Sequence, residues 1–500
     1  MYILNRDEIR EWDAYTILHE PVTSVDLMER AAIQCAEWIA QRIGPLQKFI
    51  IFCGKGNNGG DGLAIARLLY EKGYPVSVYV LASGKEGSAD FDTNLQKLLS
   101  SPIIVSHIDD QDDFPVIETG TVVVDALFGT GLNKPLEGAA AQLVEYINSS
   151  IAFVISIDLP SGLFIDQSSK GNSIIRATYT LTFQCLKTGL LVQENAIYIG
   201  EVHVLDIGLD LQFLEGKIIH QEFIEPSLVQ AIYKPRNAFA HKGNFGHALI
   251  IAGSYGKMGA AVLAAKACLC SGAGLTTVYA PKCGYNILQV AIPEAMVFTD
   301  ENENFVSTLP MEIEKYESIG IGPGIGTQEP TQNLLSFIVR RYKKPIVLDA
   351  DALNCLAVQT DLFKQLPPDS ILTPHPKEFD RMFGEHADDF IRIQTARQKA
   401  KELNIILVVK GHHSVIATPG GQVYFNSTGN AGMAKGGSGD ILTGIITALL
   451  AQGYTAAQAA ILGVYLHGLA GDIAAKDHAL ESLTATDLIN GLSTAFRKFY

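Results

Sequence analysis

Charge is scarce in this chain and unevenly split. Only 18% of the 500 residues are Asp, Glu, Lys or Arg, and acids outnumber bases 53 to 38, for a net charge of −15. So acidic a surface repels phosphate backbones and anionic headgroups, which argues against nucleic acid or an anionic membrane as a partner. Apolar runs are short: none reaches the roughly 18–20 residues of a membrane span. The opening Met1-Tyr-Ile-Leu-Asn-Arg-Asp-Glu8 is charged within its first turn, unlike a signal peptide. The seven cysteines form no CxxC pair. An odd, scattered set reads as reduced thiols in a cytoplasmic protein and argues against zinc. Cys268-Leu-Cys270 reads as two small apolar residues on a helix. Tandem repeats and low-complexity segments are missing as well.

What is present is a folded chain, 47% hydrophobic, with a mean hydropathy of +0.17 that leaves apolar surface to bury between subunits. Its length exceeds one ordinary core, so two or three domains are expected. The densest motif lies late: Asn430-Ala431-Gly432-Met433-Ala434-Lys435-Gly436-Gly437-Ser438-Gly439-Asp440, followed by an apolar run over 441–450. Strand-like segments at 405–410 and 423–426 precede it, so the order reads strand, glycine loop, helix. Glycines let backbone N–H groups turn inward, and a helix start adds unpaired N–H groups and a positive dipole end. Together they make an anion hole suited to phosphate. Asp440 stands at its mouth, where a carboxylate can take a proton from a hydroxyl attacking phosphorus.

Nearer the start, residues 8–43 show helical spacing, with Ser24 read as the cap of a helix over 25–40. A buried strand over 48–53 enters Gly54-Lys-Gly-Asn57-Asn58-Gly59-Gly60-Asp61-Gly62, then a helix over 63–72 and a strand over 75–80. The glycines at 54, 56 and 59 fit G-x-G-x-x-G in a βαβ unit. The ribose-binding acid expected about 20 residues on is missing; Leu81-Ala-Ser-Gly84 stands there instead. An ordinary NAD cofactor site is therefore not expected, and the polar Asn57, Asn58 and Asp61 point to a loop that handles a ligand itself. Two more strands end in Asp125-Ala-Leu-Phe-Gly129-Thr130-Gly131-Leu132 and Asp158-Leu-Pro-Ser161-Gly162. In an open parallel sheet such strand ends line one crevice. Asn58 and Asp125 offer oxygen ligands, which suit a hard cation.

Residues 208–235 break the pattern and hold the domain boundary. Beyond them, strands at 247–251, 276–279, 318–321, 345–348, 370–372 and 405–409 alternate with helices, which predicts a second α/β domain with a mainly parallel sheet. Its first loop, Ala252-Gly-Ser-Tyr-Gly-Lys257-Met-Gly259, has the wrong spacing for a Walker A loop. Other strand ends carry Gly322-Pro-Gly324, Asp349-Ala-Asp351, Pro374-His375-Pro376-Lys377-Glu378 and Lys410-Gly411-His412-His413-Ser414. His375, held between prolines, is a ligand candidate. His412 and His413 read as ordinary loop residues, and Lys410 as a phosphate contact.

On these motifs residues 1–215 resemble the YjeF N-terminal family of NAD(P)H-hydrate epimerases. Residues 225–500, from His241-Lys-Gly243 to Asp440, resemble the ADP- or ATP-dependent NAD(P)H-hydrate dehydratases of the ribokinase-like superfamily. The resemblance implies an N-terminal Rossmann-like three-layer domain and a C-terminal ribokinase-like domain. It implies epimerisation of R- and S-NADHX or NADPHX in the first and dehydration of the S hydrate in the second, with ADP favoured over ATP and Mg²⁺ on the phosphates. By position, the hydrate would be held in the first domain by Asn57 to Asp61, by Gly129, Thr130, Gly131, Leu132, Asn133, Lys134 and Pro135, and by Asp158. A potassium ion would be held by Asn58, Asp125 and Ser161. In the second domain Gly324 and Pro374 to Glu378, with Phe379 and Asp380, would meet the hydrate. Lys410 to Ser414 and Asn430 to Gly439 would meet the nucleotide; Lys435 is included by position with no role of its own. Asp440 would be the base, and Asp158 the acid/base group of the epimerase. Homo-oligomers are common among such dehydratases, so one is expected. The alternative is a ribokinase-like small-molecule kinase with a fused nucleotide-binding domain, which predicts a stable phosphorylated product. A nucleotide sensor predicts binding without turnover.

Overall fold

Runs such as Phe49-Ile-Ile-Phe-Cys53 and Val122-Val-Val-Asp-Ala126 are buried at every position, as a parallel strand covered on both faces requires. In the computed structural model, which describes residues 1–82, 86–309 and 312–500, the chain divides into two units. One is Met1–Ile219 with Asp388–Phe390; the other is His220–Ala387 with Ile391–Tyr500.

The first unit is a seven-stranded sheet of β1 (Phe49–Cys53), β2 (Val76–Leu81), β3 (Ile104–Ile108), β4 (Val122–Ala126), β5 (Phe153–Ile157), β6 (Tyr179–Phe183) and β7 (Glu201–Leu205). Its order is β3-β2-β1-β4-β5-β6-β7, every pair parallel. Alternation along β1 sends Phe49, Ile51 and Cys53 to a core shared with helices Ser24–Arg42 and Asn57–Glu71, and Ile50 and Phe52 to one shared with helix Gly138–Ser149. The result is three layers. Strand order reverses between β1 and β4, and ligands bind where it reverses, beyond the carboxyl ends of the strands.

The helix expected at 63–72 begins six residues earlier, at Asn57. Asparagine and glycine are poor helix formers, but packing overrides propensity here. A Cβ on Gly54 would lie 2.0 Å from the Leu127 carbonyl oxygen; one on Gly59 would lie 1.7 Å from that of Gly54; one on Gly62 would meet Ala126 Cβ at 2.5 Å. Most of the expected glycine loop is thus the close-packed start of a helix. The cap of the helix before β1 is Thr23, not Ser24: Thr23 accepts the Asp26 N–H while Asp26 reaches back to Thr23 N–H. Ser83 and Gly84, in the stretch without a ribose-binding acid, lie outside the described residues.

The second unit has ten strands: β8 (Gln221–Phe223), β9 (His247–Ile251), β10 (Leu275–Ala280), β11 (Met296–Thr299), β12 (Ser318–Ile321), β13 (Ile346–Leu348), β14 (Ile371–Leu372), β15 (Ile406–Val409), β16 (Val415–Ala417) and β17 (Val423–Phe425). The order is β11-β10-β9-β12-β13-β14-β15-β16-β17-β8, antiparallel only at β15–β16 and β16–β17. Helices Met258–Cys270 and Ser438–Ala451 pack so closely that a Cβ on Gly444 would meet the Ala264 carbonyl oxygen at 2.1 Å. The run 441–450 is buried throughout, which explains its lack of a polar face. No described helix is long and apolar enough to cross a membrane.

Gly54→Ala drives a methyl into the Leu127 carbonyl; it should lower the unfolding free energy by about 1–3 kcal/mol or more, read as a shift in the urea midpoint.

Candidate functional site

At the reversal between β1 and β4 a cavity of about 740 Å³ opens, lined by Asn57, Asn58, Asp61, Asp158 and residues 127–137. Asp125 ends β4 and is fully buried. It accepts from Ser156 Oγ (2.7 Å), Ser161 N (2.9 Å), Ser161 Oγ (2.5 Å) and Leu127 N (3.3 Å). Burial pushes its carboxyl up and these hydrogen bonds pull it back; none of the described ion pairs involves it. The amide of Asn58 is buried, with neither Nδ2 nor Oδ1 hydrogen-bonded. The orphan amide oxygen of Asn58 and the buried carboxylate of Asp125 are oxygen donors of the kind that suit a hard cation.

Asp158, just past β5, has φ of +65°, a left-handed conformation that costs a non-glycine residue about 1–3 kcal/mol. The conformation is pinned. Asp158 N–H donates to the Leu181 carbonyl at 2.7 Å, and its carboxylate accepts Thr130 N–H at 2.9 Å. Lys187 lies 3.1 Å from its other oxygen. Lys187 is 1% exposed and also donates to Thr182 Oγ1 and the Phe183 carbonyl. Gly129 is glycine for space: a Cβ there would lie 2.7 Å from Asp158 Oδ2 and 3.2 Å from the Asn58 amide carbon.

Asn57, Asn58, Asp61, Asp158 and all of 129–135 therefore share one wall. Gly59 and Gly60 do not line it; they face Gly54 and Met28 in the packing. Ser161 stands behind, tied to Asp125 and to Phe128 N–H. Two lining residues were not legible beforehand: Lys187, on a loop after a strand too mixed to recognise, and Asp13, on the first helix.

In the second unit Asp349, just past β13, receives Lys410 Nζ at 2.7 Å and Thr443 Oγ1 at 2.8 Å. Lys410 also lies 3.9 Å from Glu378. Gly437 caps helix Ser438–Ala451 with φ of +94°, so Ser438, Gly439 and Asp440 form the first turn, whose N–H groups have no partner within the helix. A Cβ on Gly439 would sit 3.5 Å from both Asp349 Oδ2 and Lys410 Nζ. Asp440's carboxyl is pushed up to about 6, first by burial and then by Asp349, with Lys410 opposing. The turn is braced from behind: Ser438 Oγ lies 3.1 Å from His467 Nε2. The loop start is tied too, Gly429 N–H and Asn430 Nδ2 both donating to Asp472 at 2.9 Å. Lys435 donates to the Glu481 carbonyl, and Met433 packs on Gly471.

Gly324, φ +66°, is held by Ser254 Oγ at 2.7 Å. His375 spends Nδ1 on a cap, accepting Glu378 N–H at 3.2 Å while Glu378 accepts His375 N–H at 2.9 Å; Pro376 fills the first helical position. Phe379 is fully buried against Phe383 and His386, which leaves a ligand only its backbone. Asp380 is committed to Arg392 and His386. His413 stands in the turn between β15 and β16, as a loop residue, and is partly buried: its Nδ1 lies 2.8 Å from the Asn426 carbonyl, and burial pushes it down to about 4.

Residues 24–189 match the model described as YjeF-related protein N-terminus, and residues 248–493 match that described as NAD(P)H-hydrate dehydratase. The chain is similar to the bifunctional NAD(P)H-hydrate repair enzyme of Moorella thermoacetica, 36% identical over 99% of this chain and 97% of the relative. It is similar to that of Escherichia coli, 33% identical over 97% and 92%. A ribokinase-like superfamily protein from Enterococcus faecalis matches with a TM-score of 0.50 and 28% identity, over 56% of this chain and 96% of that one.

Lys187→Met would leave the carboxylate of Asp158 buried without its cation. The N-terminal unit should lose about 3–5 kcal/mol, read as a lower melting temperature of that unit in calorimetry.

Proposed function

Because the chain belongs to the family of bifunctional NAD(P)H-hydrate repair enzymes, which epimerise R- and S-NAD(P)HX and dehydrate the S form, we propose that its cavity beside Asp158 is the epimerase centre and that Asp440 is the dehydratase base. Residues 1–215 are assigned to the first activity and 225–500 to the second. The observation that carries this reading is Asp440's place on a helix's first turn, against Lys410 and Asp349.

Water adds to the nicotinamide ring at the carbon beside nitrogen, and a hydroxyl there is a poor leaving group near neutral pH. In the dehydratase, the terminal phosphate of ADP, favoured over ATP, rests on the N–H groups of 438–440. Lys410 neutralises it, and Asn430 to Gly439 and Lys410 to Ser414 hold the rest of the nucleotide. Gly324 and the backbone of 374–380 face the hydrate. Asp440 takes the hydroxyl proton as the hydroxyl oxygen attacks the terminal phosphorus of ADP, whose bond to the bridging oxygen breaks and releases AMP. The ring nitrogen's lone pair then expels phosphate, and loss of a proton from the adjacent carbon restores the double bond. Mg²⁺, when bound, neutralises phosphate charge. No cluster of three His, Cys, Asp or Glu among the described residues is placed to hold a metal ion, which fits an ion carried mainly by phosphates and water.

In the epimerase, Asn57, Asp61 and 129–135 hold the hydrate and Asp158, 3.1 Å from Lys187, moves the proton. Potassium fits Asn58, Asp125 and Ser161, and would supply the charge that buried Asp125 lacks. We place the protein in the cytoplasm, where its seven unpaired thiols stay reduced, and expect a homo-oligomer.

Asp440→Asn should cut dehydration of pure S hydrate by about 10²-fold or more and leave ADP binding nearly intact by calorimetry; wild-type turnover would reject the role. Since the base works ionised, dehydration by the unaltered protein should fall as pH drops through about 6. Asp158→Asn should abolish epimerisation, followed by chromatography of the two epimers, and leave dehydration of the S form unchanged.

A further inference from the structure

The first helix, Arg6–His19, lies outside residues 24–189, yet Ile9, Arg10, Trp12 and Asp13 line the N-terminal cavity. Its seat is fixed. Trp12 is buried and its indole N–H donates to the Asp210 carbonyl at 2.7 Å, while Asp210 N–H donates to Thr16 Oγ1 at 3.0 Å. A capping box at Asn5 and Glu8 closes its start. Asp13 is thereby presented to the cavity by a rigid element, opposite no partner of its own: none of the described ion pairs involves it.

We propose that Asp13 is a second catalytic residue of the epimerase, the proton-carrying partner of Asp158. This rests on the assignment of epimerisation to this cavity. The hydrate carbon carries both a hydroxyl and the ring nitrogen, so its configuration is lost if the carbon–nitrogen bond opens. Asp158, 3.1 Å from Lys187, takes the hydroxyl proton. The oxygen's electron pair forms a carbonyl, the carbon–nitrogen pair passes to nitrogen, and Asp13 delivers a proton there. The aldehyde turns, nitrogen adds to its other face, and the two groups run the same transfers in reverse. No atom is gained or lost, and no co-reactant is needed.

The surroundings of the two carboxyls differ: Lys187 lies 3.1 Å from Asp158, whereas none of the described ion pairs involves Asp13. Burial, then the charge of Asp158, raises Asp13 to about 6, with Lys187 opposing. Asp61, raised far above its ordinary value chiefly by burial, feels both Asp158 and Asp13. The other titratable groups about Asp13 are Cys185, raised by burial, and Arg10, Lys134 and Glu137 on the cavity wall. Asp13 is thus the lining carboxyl poised to hold a proton near neutral pH and still release it.

The test uses the full chain and both purified epimers. Asp13→Asn should slow epimerisation by about 10²-fold or more and remove the inflection near pH 6 from kcat/KM. Dehydration of the S epimer should be unchanged. Because charging Asp13 opposes folding above pH 6, the Asn variant should melt no lower than wild type at pH 8. Wild-type epimerisation in Asp13→Asn overturns the proposal, as does an equal loss of rate in a variant that melts well below wild type, which marks a structural role. Asp158→Asn run alongside separates the failures: full epimerisation there removes the site assignment itself, whereas its loss beside a normal Asp13→Asn removes only Asp13.

Discussion

A carboxylate taken out of water at the end of a strand has to find donors, and both units are arranged by how they meet that demand. Asp125 is met by two serines and two backbone N–H groups. Asp158 is met by Lys187 and Thr130, and Asp349 by Lys410 and Thr443. The donors come largely from neighbouring strand ends, loops and a helix, so satisfying the charge also draws these segments together. An unpaired charge in such surroundings costs several kcal/mol, so these contacts hold the crevices in shape.

Both crevices also depend on backbone meeting backbone where strand order reverses. In the first unit Gly54 touches the Leu127 carbonyl. In the second, Gly253 N–H donates to the Pro323 carbonyl at 2.8 Å, and a Cβ on Gly322 would lie 1.8 Å from the Asp349 carbonyl oxygen. The glycine-rich stretches therefore serve packing as much as ligands. Gly59, Gly60 and Gly62 are interior to a helix, whereas Gly437 does what a phosphate loop asks, opening a helix in a left-handed turn.

The sequence made the fold class legible because its central strands are apolar on both faces; β9 and β12 fall where their hydrophobic runs do. The end of the second sheet beyond β15 was less readable. Strands β8 and β16 are three residues each, too short for a pattern, and hold through their neighbours. Asp158 and Asp125 drew notice as acids that close an apolar run, and Asp440 as the acid between a glycine-rich loop and an apolar run. Lys187 was not, because a lysine reads as surface until tertiary contacts bury it. Asp13 was hidden among the ordinary polar positions of an amphipathic helix. The side chains of Phe379 and Asp380 were not legible either: one is buried in the core and the other is held in an ion-pair network.

On the proposed role of Asp158 in epimerisation, its left-handed backbone has a consequence for the temperature dependence of that reaction. With its backbone torsion fixed and both carboxylate oxygens engaged, the side chain has no rotamer freedom left to lose when the hydrate arrives. The ordering that a mobile base would undergo at every turnover is completed once, during folding. The activation entropy of the reaction then reflects the opening and turning of the substrate's own ring, while the protein stays nearly still.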